Sequence, residues 1–134
     1  HDISSAFGKA NGGAIPPNLL EIPNTESNSQ YLRFCKIAGV KGHPARFPTK
    51  LPEFFIRFLT NPGDIVLDIF AGSNATGEAA EKNERQWIAF ETEQKYLAAS
   101  ALRFLETQDK DYIKLLYKQL LDGGISSVEI ARTQ

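Results

Sequence analysis

The apolar positions of this chain change period along its length, and the changes mark its elements. From Tyr31 to Ala38 the apolar residues Tyr31, Leu32, Phe34, Cys35, Ile37 and Ala38 fall at helical spacing, and Gly39 supplies a stop. A second helix is predicted over 50–60, with Pro52 in its first turn. Phe54, Phe55, Phe58 and Leu59 make its apolar stripe, which reads as core. The run Ile65 to Phe70 is apolar on both faces apart from Asp68, which predicts a central parallel strand covered by helices on both sides. A helix over 77–84, a second strand over 86–91 and a long helix over 94–106 follow. In the last of these Tyr96, Leu97, Ala99, Ser100, Arg103 and Phe104 sort onto faces. Tyr112, Ile113, Leu116, Tyr117, Leu120 and Leu121 predict an amphipathic helix from Asp109 to Leu121, ended by Gly123 and Gly124.

Residues 1–30 lack such a period. Asn11-Gly12-Gly13 and Pro16-Pro17-Asn18 break regular structure, and Pro23 to Gln30 reads as loop. The short apolar pieces Ala14-Ile15 and Leu19-Leu20-Glu21-Ile22 read as strands able to pair. Strands alternating with helices place the chain in the α/β class.

The chemistry gathers where the first strand meets the helix after it. Phe70-Ala71-Gly72-Ser73-Asn74-Ala75-Thr76-Gly77 is a loop of small residues opening a helix, an arrangement that brings backbone N–H groups close to a ligand. Gly72 permits close approach and either sign of φ. Ser73, Asn74 and Thr76 are residue types that cap a helix. The second strand ends at Glu91, 19 positions after Gly72. A carboxylate at that tip accepts hydrogen bonds from two vicinal ribose hydroxyls in nucleotide-type folds. The bland alternatives are a plain βα turn and a solvated strand-end glutamate.

Composition narrows the class. One cysteine excludes an intrachain disulfide framework, and Cys35 reads as a buried apolar residue rather than a nucleophile. Two histidines and one cysteine offer no metal-ligand spacing, and His43 reads as a structural hydrogen-bonding residue. No apolar run is long enough to span a membrane and no signal peptide is visible, so the expectation is a cytoplasmic protein. The chain begins at His1 rather than Met, which reads as a processed, partial or engineered fragment. Net charge is −1, so bulk charge does not announce a nucleic-acid binder. The distribution says more: from Ser27 to Pro52 the charged residues are Arg33, Lys36, Lys41, Arg46 and Lys50, with no acid among them. A basic helix beside a polar loop suits contact with phosphates, and a solvated helix face accounts for it equally well.

With these residues assembled, the chain resembles the DNA amino-methyltransferases of the β arrangement, most closely the cytosine-N4 branch found in type II restriction-modification. Asp68 to Gly77 is similar to the family's D-x-F-x-G-S-x-x-T-G loop for S-adenosylmethionine, with Asn74 where many relatives carry Gly. His43-Pro44-Ala45-Arg46-Phe47-Pro48 resembles the H-P-x-x-K-P segment that precedes the strand, with Phe47 at the family's Lys and Arg46 or Lys50 as its substitute. Trp87 to Tyr96 is similar to the acidic second-strand motif. The resemblance covers about residues 12–106. It implies a partial Rossmann-like S-adenosylmethionine-dependent methyltransferase sheet with flanking helices, divided into 1–42 (end of the target-recognition region), 43–108 (cofactor portion) and 109–134 (helix and tail).

The resemblance also implies roles. Phe70 lies against the adenosyl group, while Ala71, Gly72 and Ser73 present backbone near the methionine part. Asn74 and Thr76 cap the loop and reach toward the carboxylate, Glu91 holds the ribose, and Asp68 fixes the loop. Arg46, Phe47 and Pro48 border the same site. Asn28, Tyr31, Arg33 and Lys36 face double-stranded DNA. The family flips its target base and grips it with an [S/D]-P-P-[Y/F/W] loop, needing no metal. No such tetrapeptide occurs here; Ile15-Pro16-Pro17-Asn18 lacks the flanking residues. The expectation is therefore a chain with no catalytic residue, inactive alone and completed by the missing catalytic half, in the same or a separate polypeptide. Adenine-N6 methylation, a non-catalytic subunit that binds cofactor or DNA, and a dinucleotide-binding oxidoreductase domain are the alternatives. The last is disfavoured because the loop lacks G-x-G-x-x-G.

Overall fold

The computed structural model describes residues 19–23, 29–106 and 108–123. Helix α1 (Gln30–Ala38) starts at Ser29, whose hydroxyl accepts from the Leu32 N–H. It ends at Gly39, whose φ of 74° turns the chain and points its N–H back at the Lys36 carbonyl. Helix α2 (Lys50–Leu59) carries Pro52 in its first turn. Strand β1 (Ile65–Asp68), helix α3 (Ala75–Lys82) and strand β2 (Gln86–Ala89) form a parallel β-α-β unit, with Val66 opposite Trp87 and Asp68 opposite Ala89. Helix α4 (Gln94–Ser100) runs into a 3₁₀ turn (Ala101–Phe104). Helix α5 (Lys110–Leu121) begins at Asp109, whose carboxylate accepts from the N–H groups of Asp111 and Tyr112.

Several elements have bounds other than those their periodicity predicts, each for a local reason. β1 ends at Asp68 instead of residue 70 because the Asp68 carboxylate accepts from the Phe70 N–H (3.0 Å) and bends the chain. α3 begins at Ala75 instead of residue 77 because Asn74 caps it. The predicted helix over 94–106 tightens after Ser100, whose hydroxyl donates to the Leu97 carbonyl (2.7 Å). Leu19 to Ile22 is no strand: the Ile22 N–H donates to the Leu20 carbonyl two residues back. Ala14 and Ile15 lie outside the described residues.

Among the described residues two apolar clusters hold the chain. The larger joins α1, α4, the 3₁₀ turn and α5 through Tyr31, Phe34, Cys35, Ala99, Leu102, Leu105, Ile113 and Leu116, all buried. It draws on the segments expected before residue 43 and after residue 108 as well as the one between. Cys35 sits inside it, as expected of a small apolar residue. The smaller cluster sets Ile56 of α2 and Ala79 and Ala80 of α3 against Val66 and Trp87 on one sheet face. Phe104 stacks on Trp87 (4.8 Å between centroids) and extends that cover.

The other face of the sheet corrects the expectation of helices on both sides. Ile65 and Leu67 are 61% and 60% exposed, and Ile88 is exposed beside them. Among the described residues β1 pairs only with β2, so its second edge has no strand. The stripe read as core on α2 is exposed too: Phe54, Phe55, Phe58 and Leu59 face outward, and Pro52 and Ile56 are that helix's buried residues. The periodicity is a true sign of an apolar face, but the described residues leave it uncovered.

Candidate functional site

The loop between β1 and α3 is tied down from several directions. Its entry is an extension of the sheet: the Phe90 N–H donates to the Asp68 carbonyl and the Ala71 N–H to the Phe90 carbonyl, both at 2.9 Å. Gly72 then takes φ 53°, a region open to glycine. Its N–H donates to Glu91 Oε2 (2.9 Å), while Oε1 accepts from the Glu93 N–H (2.9 Å). So the acid at the tip of β2 does meet the glycine loop. The backbone bond from Glu93 is the main cause that holds the Glu91 carboxyl below its ordinary value; partial burial opposes it, and Gly72 and Thr92 add to it. A carboxylate offers about four acceptor directions, so Glu91 keeps capacity for a ligand's hydroxyls.

His43 closes the other side of Gly72. Its ring stands 3.3 Å from where a Cβ on residue 72 would sit, so only glycine lets this approach occur without displacing the ring. The imidazole packs edge-on against Tyr96, Nδ1 lies 3.0 Å from the Ala45 carbonyl, and the backbone N–H donates to the Tyr31 hydroxyl. His43 is thus the structural hydrogen-bonding residue anticipated, placed over the loop.

Asn74 adopts φ 58°, ψ 42° and is buried, its Oδ1 accepting from the Gly77 N–H (3.0 Å). Glycine and asparagine are the residues that take this left-handed conformation most readily. That is why Asn74 fits a place where the resembled family often carries Gly. Gly77 is required by the same cap: a Cβ there would lie 2.4 Å from Asn74 Oδ1. Ser73 is buried below the loop and does not cap α3, and Thr76 sits within the helix's first turn. Phe70 is 84% exposed at the loop's crest.

Arg46 turns back on its own segment, Nη1 donating to the His43 carbonyl, and its buried Nε has no hydrogen-bond partner among the described residues. Pro48 offers its carbonyl to the Leu51 N–H at the start of α2. Phe47 lines an apolar cleft of about 480 Å³ with Leu51, Phe55, Leu59 and Leu67, which reaches the loop only at Thr76.

On the expected DNA side, Arg33 and Lys36 are exposed together on the outer face of α1. Asn28 lies outside the described residues. Tyr31 is a correction: it is 2% exposed, in the larger core, with its hydroxyl taken by His43. Burial raises its pKa to about 12. Its aromatic ring faces the core because it shares a helix face with Phe34 and Cys35.

Sequence reading missed Arg103 and Glu78. The Arg103 side chain, 2% exposed, passes under the loop to Ser73 and pairs with Glu78 of α3 at 2.5 Å. The signal was present: Arg103 shares the apolar face of Ala99 and Leu102, where a cation needs a partner. No group of three or more metal-ligating side chains exists among the described residues, and no described helix is long and apolar enough to cross a membrane.

Residues 11–102, most of the chain and all of the loop, match the profile of a family described as DNA methylase. This chain belongs to the DNA methylase family. The methylase chain is 58% identical over 124 residues to the type II methyltransferase M.PvuII of Proteus hauseri, covering 92% of itself and 37% of that protein. It is 38% identical over 107 residues to the orphan methyltransferase M.BamHII of Bacillus amyloliquefaciens, covering 80% of itself and 36% of the relative. Its fold superposes on a solved PvuII DNA methyltransferase (cytosine-N4-specific) with TM-score 0.77 and 57% identity, over 83% of this chain and 40% of that one. The parallel sheet with flanking helices is therefore part of a methyltransferase fold. The methylase chain spans no more than about two-fifths of the length of these relatives.

Proposed function

We propose that this chain is the cofactor-binding portion of a site-specific DNA methyltransferase of restriction-modification type, acting on the N4 amino group of cytosine in duplex DNA with S-adenosylmethionine as donor. The observation that carries the reading is the bond from the Gly72 N–H to Glu91. It brings the carboxylate at the strand tip and a left-handed glycine loop to one place, as a ribose site would need, in a chain 57% identical to a cytosine-N4-specific enzyme.

The residues fit the donor's parts. Glu91 takes the ribose hydroxyls, and the exposed ring of Phe70 covers the adenine. Ala71, Gly72 and Ser73 line the methionine with backbone. Thr76, in the first turn of α3, faces its carboxylate, where unpaired helix N–H groups favour negative charge. Asp68 and Asn74 hold the loop by their hydrogen bonds. Arg46, Phe47 and Pro48 border the site. When bound, S-adenosylmethionine supplies an electrophilic methyl on a sulfonium centre. The chain's part is to hold it in line for the amino nitrogen of a flipped base.

The loop that grips the base comes from the complementing catalytic half, in the same or a separate polypeptide, and this chain alone is inactive. The bare face at Ile65, Leu67 and Ile88, the edge of β1 that no described strand pairs and the outward stripe of α2 form one apolar region for it to cover. Arg33 and Lys36 contact DNA phosphates in the assembled enzyme.

Calorimetric titration with S-adenosylmethionine tests the cofactor reading. Glu91→Ala weakens binding by about 1–3 kcal/mol, the cost of unpaired polar partners. Wild-type affinity in this variant removes Glu91 from the site. Mixing the chain with the catalytic half and a cytosine-containing duplex then yields N4-methylcytosine; N6-methyladenine instead would replace the base assignment and leave the cofactor portion standing.

A further inference from the structure

We propose that Arg103 is a positioning residue for the cofactor loop, acting through Ser73; the proposal rests on the reading of that loop as the S-adenosylmethionine site. Its guanidinium donates twice to a single residue: Nε to the Ser73 carbonyl and Nη2 to the Ser73 hydroxyl (2.9 Å). A planar fork that takes both groups sets the peptide plane and the side-chain torsion of Ser73 together. The remaining nitrogen, Nη1, donates to Glu78 Oε2 in the first turn of α3 (2.5 Å). The guanidinium carbon stands 4.5 Å from the centre of the Tyr31 ring. Arg103 therefore links the larger core, the loop and the helix the loop opens.

The loop needs such a hold. Gly72 at φ 53° and Asn74 at φ 58° flank Ser73, and left-handed backbone at a residue other than glycine persists only where its surroundings enforce it. The peptide between Ser73 and Asn74 is held at both ends: its carbonyl by Arg103, its N–H by the Ala71 carbonyl (2.7 Å). Glu91 pins the loop at Gly72 from one side, and Arg103 pins it at Ser73 from the other. A loop already in its binding shape spares the cofactor the cost of ordering it.

The test combines amide hydrogen exchange of the cofactor-free chain with calorimetric titration of S-adenosylmethionine. Arg103→Lys keeps the charge and loses the fork. The Asn74 and Gly77 amides then exchange about tenfold faster, the scale of one charged hydrogen bond, while those of Ile113 and Leu116 in α5 hold their rates. The dissociation constant rises about tenfold as well. Ser73→Ala loses only the hydroxyl and gives a smaller change in both readouts. In the double variant the losses combine to less than their product, because both remove the same contact. An Arg103→Lys chain with wild-type loop exchange and wild-type affinity overturns the proposal. Should that variant fail to fold, Ser73→Ala decides: no change in loop exchange or affinity overturns it equally. A wild-type chain that takes no S-adenosylmethionine, even with the catalytic half present, instead strikes the cofactor reading itself.

Discussion

Two apolar regions, the cluster around α1, α4 and α5 and the outer face of α2 and β1, are built from the same kind of sequence and end in opposite states. Around α1, α4 and α5 the stripes meet one another and close: Leu102 and Ile113 are fully buried. Around α2 and β1 a second stripe is left uncovered on its outer side by the described residues, and Leu59 and Leu67 stand more than half exposed. Burial energy scales with the area removed from water, so the closed region stabilises this chain while the open one leaves its apolar surface in solvent. The difference separates what holds the chain together from what it offers outward. On the proposal above, Arg103 also ties the loop after β1, which lies beside that open face, to the closed region through Tyr31.

The largest expected effect lies in the closed cluster. Leu102→Ala destabilises the chain by about 2–5 kcal/mol in chemical denaturation, the range for a buried leucine that leaves a cavity. A loss under about 1 kcal/mol would erase the contrast between the two regions.

Next comes the ion pair between them. Burial works against the Glu78 charge, but the Lys82 hydrogen bond and the charges of Arg103 and Lys82 outweigh it and hold its carboxyl below the ordinary value. A lowered folded-state pKa contributes stability that is present above the unfolded value and lost as pH falls through the folded one. Stability therefore declines below about pH 4.5, the ordinary value for this group. Glu78→Gln lowers stability near neutral pH by about 2 kcal/mol, a figure set below that for a fully buried pair because the Glu78 side chain remains 19% exposed. Its acid limb is flatter than the wild type's. An unchanged acid limb would move the titrating group elsewhere.

The smallest effect belongs to the open region. Leu59→Ser changes the stability of the chain by no more than about 0.5 kcal/mol, as for other exposed positions, yet it weakens assembly with the catalytic half. A loss matching that of Leu102→Ala would mean that the stripe is already covered, by a second copy of the chain, which sedimentation would reveal.

Much of the local structure was legible. Gly39, Asn74 and Asp109 mark element ends whose geometry follows from a few neighbouring atoms. The spacing of Gly72 and Glu91 suggested a ribose-binding acid; the bond between the two residues was not expected from it. Tyr31 was misread because an aromatic beside basic residues suits nucleic acid, whereas its helix face commits it to the core. Arg103 was passed over because one arginine on an apolar helix shows no partner until Ser73 and Glu78, distant in sequence, are folded beneath it.

The sequence by itself determined which residues share a face, roughly where helices lie, and that small residues open α3 beside an acidic strand tip. Periodicity and capping are local, so they survive without knowledge of the rest of the chain. Only the tertiary structure decided which faces meet. It buried Phe34 and left Phe55 in solvent, and it joined Glu91 to the glycine loop and set Arg103 beneath Ser73. A side chain's period tells where it points along its own element; what stands opposite depends on contacts between segments far apart in the chain.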